Sequence, residues 1–131
     1  MRTTTNPLVM HTYTRAEAIE DGVLVDATAT AAEAGYLLPL ALTRAAWDDA
    51  VAWDEGNRAY QDVDGRLWDV VWMARHSAQR VGTGMTRIAF EVLRVPNTPD
   101  ALDPEITTLH LHIGPGDDGE AVLTVLRADE D

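Results

Sequence analysis

A chain of 131 residues, 46% hydrophobic and 24% charged, has the size and apolar content of one folded unit rather than of an acidic disordered tail. Ten basic residues, every one an arginine, stand against 22 acidic ones for a net charge of −12, and cysteine is absent. These counts exclude disulfides, cysteine-ligated zinc, iron–sulfur clusters and a cysteine nucleophile, and they argue against direct nucleic-acid binding, which needs a positive surface to displace phosphate counterions.

Residues 1–10 read as a flexible tail with a turn at Asn6-Pro7, and residues 11–131 as a single domain. Thr14-Arg-Ala-Glu17 is a capping-box pattern, in which the threonine caps the third amide and the glutamate reaches back. With Gly22 as a left-handed stop, it predicts a helix near 15–21. Val23–Asp26 is a short strand or extended link. Thr30-Ala-Ala-Glu33 repeats the box before Gly35 and predicts a second helix of about two turns.

Leu37–Leu40 leads into a third helix capped by Thr43, with Leu42, Ala46, Trp47, Ala50 and Val51 at helical spacing. Asp64-Gly65 predicts a small hairpin within Tyr60–Trp68. A fourth helix follows from about Asp69 to Arg80, burying Val70, Val71, Ala74 and Ala78 and ending at Gly82 and Gly84. Past residue 85 the apolar period changes from helical to alternating. Ile88, Phe90 and Val92 share one face, and Leu109, Leu111 and Ile113 share another. Three prolines make 96–104 a loop, Gly114–Gly119 is a turn, and Ala121–Leu126 is a returning strand. The expected fold class is α+β, with short helices first and then an antiparallel sheet of at least three strands packed on them.

His110 and His112 lie on one face of a strand, within reach of a common metal ion, but a metal site needs a third ligand. The plainer reading is a polar face opposite an apolar one, so no cofactor or metal is expected. Asp62-Val-Asp64-Gly65 fails the calcium-loop spacing, which would require Gly at Leu67 and Glu at Met73. Gly114–Gly119 lacks the lysine of a phosphate loop and carries two acids. Ser77 is the only serine and has no elbow motif, so nothing singles out an enzyme.

Four tryptophans accompany a single phenylalanine. They read as core, or as anchors of a binding patch, where Trp and Arg are enriched. The acids are grouped: seven between Asp48 and Asp69, and six between Pro96 and Leu126 without a base. The candidate partner-binding residues are therefore Asp48, Asp49, Asp54 and Glu55 with Trp53, and Asp117, Asp118 and Glu120. They would meet a protein whose surface is basic or shaped to bind nucleic acid.

The stretch His11–Asp26, the helix Ala41–Trp47, Gly65-Arg-Leu-Trp-Asp69 and Gly114–Glu120 together resemble an uncharacterised family of small acidic proteins carried by bacterial plasmids and phages. The resemblance covers nearly the whole chain and supplies no catalytic residues. It implies the context of a mobile element, where small acidic proteins often inhibit host defence as anti-restriction or anti-CRISPR proteins. The expectation is a cytoplasmic, non-enzymatic interaction module, possible as a homodimer, with no apolar run long enough for a membrane. The alternatives are a metal-binding module or small enzyme using His110 and His112, and a plasmid or phage maintenance protein.

Overall fold

The computed structural model describes residues 13–79 and 84–130. The N-terminal tail, His11, Arg80 and Gly82 lie outside them. Nine elements follow in order: α1 (Arg15–Glu20), β1 (Leu24–Asp26), α2 (Thr28–Glu33), β2 (Leu40–Thr43), α3 (Arg44–Ala50), α4 (Val63–Gln79), β3 (Arg87–Arg94), β4 (Glu105–Pro115) and β5 (Ala121–Arg127). The class is α+β, but the helices do not all precede the sheet, because β1 and β2 are threaded between them.

The five strands form one sheet in the order β1-β2-β5-β4-β3. The meander of β3, β4 and β5 is antiparallel, with Arg87 opposite His112, Phe90 opposite Leu109 and Leu111 opposite Val125. Strand β2 joins it in parallel, with Leu40 opposite Leu123 and Leu42 opposite Val125. Parallel neighbours need a long crossover, and here everything from α3 to β4 supplies it. Strand β1 closes that side by pairing antiparallel with β2.

Alternation sets the core. Leu40, Leu42, Phe90, Val92, Leu109, Leu111 and Val125 face α2, α3 and α4, which contribute Ala31, Ala34, Ala46, Ala50, Val70, Val71 and Ala74. The helical side is dominated by alanine and valine, so the helix axes can sit close to the large residues of the sheet. Of the tryptophans only Trp47 packs against this core, and it is half-buried.

The first helix forms as its sequence dictates. Thr14 accepts from the Glu17 N–H at 3.0 Å, Glu17 accepts from the Thr14 N–H at 3.0 Å, and Gly22 stands at φ 79°. The second box does not act as one. Helix α2 begins earlier, with Ala27 at its N-cap and no side-chain cap, and Thr30 is inside it. Asp26 instead holds the Thr28 N–H at 3.1 Å and hydroxyl at 2.6 Å.

Two further expectations are corrected. Leu40–Thr43 is a strand, not a lead-in to α3, although Thr43 does cap that helix through the Ala46 N–H at 3.1 Å. Leu42 is therefore a core strand residue and not part of a helical stripe. The Asp64-Gly65 hairpin does not exist. Asp62 accepts from the Gly65 N–H at 2.6 Å at the start of α4, which begins at Val63, six residues before the expected Asp69. A short side-chain acceptor just before a glycine serves a helix start as well as a turn, so the dipeptide alone cannot decide.

Candidate interaction site

The carboxylates singled out from the sequence fall at two ends of the sheet. Asp48 and Asp49 lie in the last turn of α3, and Trp53, Asp54 and Glu55 follow it; Asp49 reaches the start of β4 at Thr107. Asp117, Asp118 and Glu120 sit in the β4–β5 turn. The eight residues of β4 between Thr107 and Pro115 separate the groups by roughly 26 Å. They do not make one surface.

Within the first group, Asp48 is exposed and lies 3.8 Å from Arg44. Asp49 is turned inward. It pairs with Arg94 at 2.8 Å, accepts from the Thr107 hydroxyl at 2.5 Å, and its side chain is only 15% exposed. Burial by itself would raise this carboxyl, but the hydrogen bonds from Arg94 and Thr107 and the Arg94 charge outweigh it and hold the group below its ordinary value. Asp49 thus ties α3 to β3 and β4. Asp54 and Glu55 remain exposed, and Asp54 accepts from the Gly56 N–H at 2.9 Å.

In the second group, Asp117 accepts from the N–H groups of Arg15 and Ala16 at 2.7 and 3.0 Å, so it fastens the hairpin to the start of α1. Arg15 completes the tie by donating to the Thr124 hydroxyl at 2.8 Å and the Leu123 carbonyl at 2.6 Å. Asp118 and Glu120 are exposed, with the Asp118 N–H held by Glu120 at 3.0 Å.

His110 and His112 do share the sheet face away from the main core. Arg87 Nε donates to His110 Nδ1 at 2.6 Å, which occupies that nitrogen and sets a cation beside the ring. Burial, and then the Arg87 charge, lower the His110 pKa. Because the Arg87 Nε–H can only donate, Nδ1 is the acceptor in this hydrogen bond. No group of three metal-ligating side chains occurs among the described residues.

The sequence reading missed a hollow between α4 and β3. Trp68 and Trp72 stack at 5.8 Å between ring centroids, and both are exposed, at 37% and 46%. Next to them a groove of about 450 Å³ is lined by Asp69, Trp72, Met73, Glu91, Leu93 and Ile106. It adjoins a smaller, polar hollow of about 180 Å³ through the shared walls Asp69, Val92 and Leu93. Arg66 lines that second hollow and is 4% exposed.

The Arg66 guanidinium lies 4.8 Å over the Trp53 ring. Its Nε donates to the Val51 carbonyl at 3.0 Å, and Nη1 donates to the Val95 carbonyl at 2.8 Å. Nη2 has no acceptor among the described residues. A buried donor left unmade costs about 1–3 kcal/mol. Asp69, whose carboxyl burial pushes above its ordinary value, attracts the guanidinium but makes no hydrogen bond to it. One signal for Arg66 was available in the sequence: position 66 falls on the same stripe as Val70 and Ala74. Starting α4 at Asp69 hid it.

The scaffold is a five-stranded α+β fold with an exposed aromatic pair and two of its acids, Asp49 and Asp117, tied into the fold. The chain is a member of a family of unknown function (DUF6573), whose profile matches residues 3–131. No curated protein and no solved structure matches it. Among the described residues no helix is long and apolar enough to cross a membrane.

Proposed function

We propose that this chain is a non-enzymatic protein-binding module, acting for a mobile genetic element on a host protein whose surface is basic, as an inhibitor of a nucleic-acid-handling defence system would. The observation that carries the reading is the exposed Trp68–Trp72 stack in a chain of net charge −12. Water-exposed tryptophans are costly unless a partner covers them, and Trp is the commonest interface anchor. Asp64 lies one helical turn before Trp68, while Asp54, Glu55 and Asp62 are exposed on the segment leading into α4. An aromatic anchor rimmed by carboxylates fits an apolar pocket rimmed by lysine and arginine. The rim supplies attraction at a distance and the rings supply contact area.

The acidic groups at the two ends divide under this reading. Asp54 and Glu55 belong to the anchor's rim, Asp49 and Asp117 serve the fold, and Asp118 and Glu120 stand apart. The test is affinity capture from a bacterial lysate at low and high salt, repeated with Trp68→Ala and with Asp54→Lys/Glu55→Lys. A partner retained by the wild type, released as salt rises and lost in both variants is the expected result. Retention indifferent to salt and to both variants overturns the reading.

A further inference from the structure

Strand β3 is a sheet edge, and its outer side is unpaired among the described residues. The Ile113 N–H donates to the Thr86 carbonyl at 2.8 Å, which makes Thr86 and Ile113 a hydrogen-bonded pair of the antiparallel ladder. By alternation, Ile88, Phe90, Val92 and Arg94 spend their backbone groups on β4. The N–H and C=O groups of Arg87, Ala89, Glu91 and Leu93 point away from the sheet. An eight-residue edge without a cover is a template for another strand.

Along this edge runs the groove with Trp72, Met73, Leu93 and Ile106 in its walls. Helix α4 and strand β3 lie antiparallel: Trp72 and Met73 stand beside Glu91–Leu93, while Arg66 reaches Val95. The groove therefore ends, beyond Leu93, at the hollow lined by Arg66. Arg66 forms part of that hollow's wall, its buried Nη2 has no acceptor among the described residues, and Trp53 and the Val51 and Val95 carbonyls fix the guanidinium plane.

We propose that the groove between α4 and β3 binds the C-terminus of a protein partner as a sixth strand parallel to β3, with the terminal carboxylate on Arg66 Nη2. The last, apolar side chain of the peptide lies against Trp72, Met73 and Leu93. A dianion such as phosphate is disfavoured, because Asp69 lines the hollow and Arg94 is already neutralised by Asp49. A neutral carbonyl would leave the guanidinium charge unanswered. Asp69 and Glu91 on the groove walls select arginine or lysine upstream of the C-terminus, in keeping with a basic partner. Backbone pairing gives affinity in this mode and the side-chain pockets give selection. The groove extends the protein-binding role proposed above and shares Trp72 with its aromatic stack, so the two are told apart by the residues varied: Trp68, Asp54 and Glu55 for that reading, Arg66 and Glu91 for this one. Failure of peptide binding leaves the salt-sensitive capture standing, and the reverse also holds.

The probe is the acetylated hexapeptide Thr-Arg-Val-Arg-Val-Leu, titrated into the full chain while the tryptophan indole N–H signals are followed by NMR. The free-acid peptide should give saturable shifts at Trp53 and Trp72, and its C-terminal amide should bind on the order of tenfold more weakly. Arg66→Lys should weaken the acid and leave the amide nearly unchanged. In case that buried substitution unfolds the chain, Glu91→Pro supplies a second reading. It removes one outward N–H without touching the β4 ladder, and should weaken binding on the order of tenfold relative to Glu91→Val. Equal binding of acid and amide, equal shifts from N-acetyl-leucine alone, equal binding by Glu91→Pro and Glu91→Val, or no saturable shift at millimolar peptide each overturn the assignment.

Discussion

The sheet ends differently at its two sides. On one side β1 is three residues long, and α1 lies beside it, fastened by the Thr14–Glu17 box and by Asp117. On the other side β3 is eight residues long and, among the described residues, unpaired along its outer backbone. Proteins usually blunt an edge by shortening or covering it, and the β1 side does both. The β3 side does neither, and the exposed Trp72, Met73 and Leu93 gather there. The contrast separates a short, covered side from a long side whose neighbouring apolar side chains are exposed.

The comparison breaks if β3 is loosely held. Phe90→Ala, at the inner face of β3, is expected to cost the most, about 3–4 kcal/mol in urea unfolding, because Phe90 is 3% exposed and packs in the main core. A loss below about 1 kcal/mol would mean that β3 owes its place to something other than core packing.

Next comes Asp49→Ala, expected to cost about 2 kcal/mol by stranding Arg94 and Thr107 at the β3 end. The carboxyl is depressed in the fold, so its contribution is full above the ordinary value of 3.8 and is lost as pH falls through the lower folded value. Melting curves from pH 6 to pH 2 should therefore fall less steeply for Asp49→Asn than for the wild type. Parallel curves would remove Asp49 from the account of acid sensitivity.

On the closed side, Thr14→Ala should cost about 1 kcal/mol through the lost cap of α1. If protection of the β1 amides from hydrogen exchange is unchanged in that variant, α1 is not what secures that edge. The smallest effect belongs to His110. Its folded pKa lies below its ordinary value of 6.5, so the neutral ring favours folding above that value and the advantage is lost as pH falls through the folded pKa. His110→Gln should slightly flatten the stability profile between pH 7 and pH 5. Identical profiles would show that the Arg87 hydrogen bond is thermodynamically silent.

Local chemistry was legible wherever the acceptor and the donor lie within a few residues. The Thr14 box, the Thr43 cap and the glycine stops at Gly22 and Gly35 formed as their spacing demanded. The alternation of Ile88–Val92 and Leu109–Ile113 also gave the right faces, since a strand's period is a property of the single chain. The Thr30 box failed because the N-cap of α2 lies three residues earlier, at Ala27, with the Thr28 N–H held by Asp26. Leu40–Thr43 was missed because a run of three apolar residues and a threonine carries no period, and their partner β5 lies about eighty residues away.

Composition by itself determined the chain's acidity and its lack of thiol chemistry, and the change of apolar period along the sequence pointed to the α+β class. Tertiary structure alone decided what each charged residue does. Asp49 and Asp117, alike in sequence to Asp48 and Asp118, became fasteners because Arg94, Thr107 and the first N–H groups of α1 were brought to them across the fold. Arg66 became a buried, partly unanswered cation for the converse reason: the carbonyls of Val51 and Val95 and the Gln61 side chain arrived, and among the described residues no acceptor reached Nη2. A side chain's type fixes which bonds it can make, but only packing over long sequence separations fixes which of them are made.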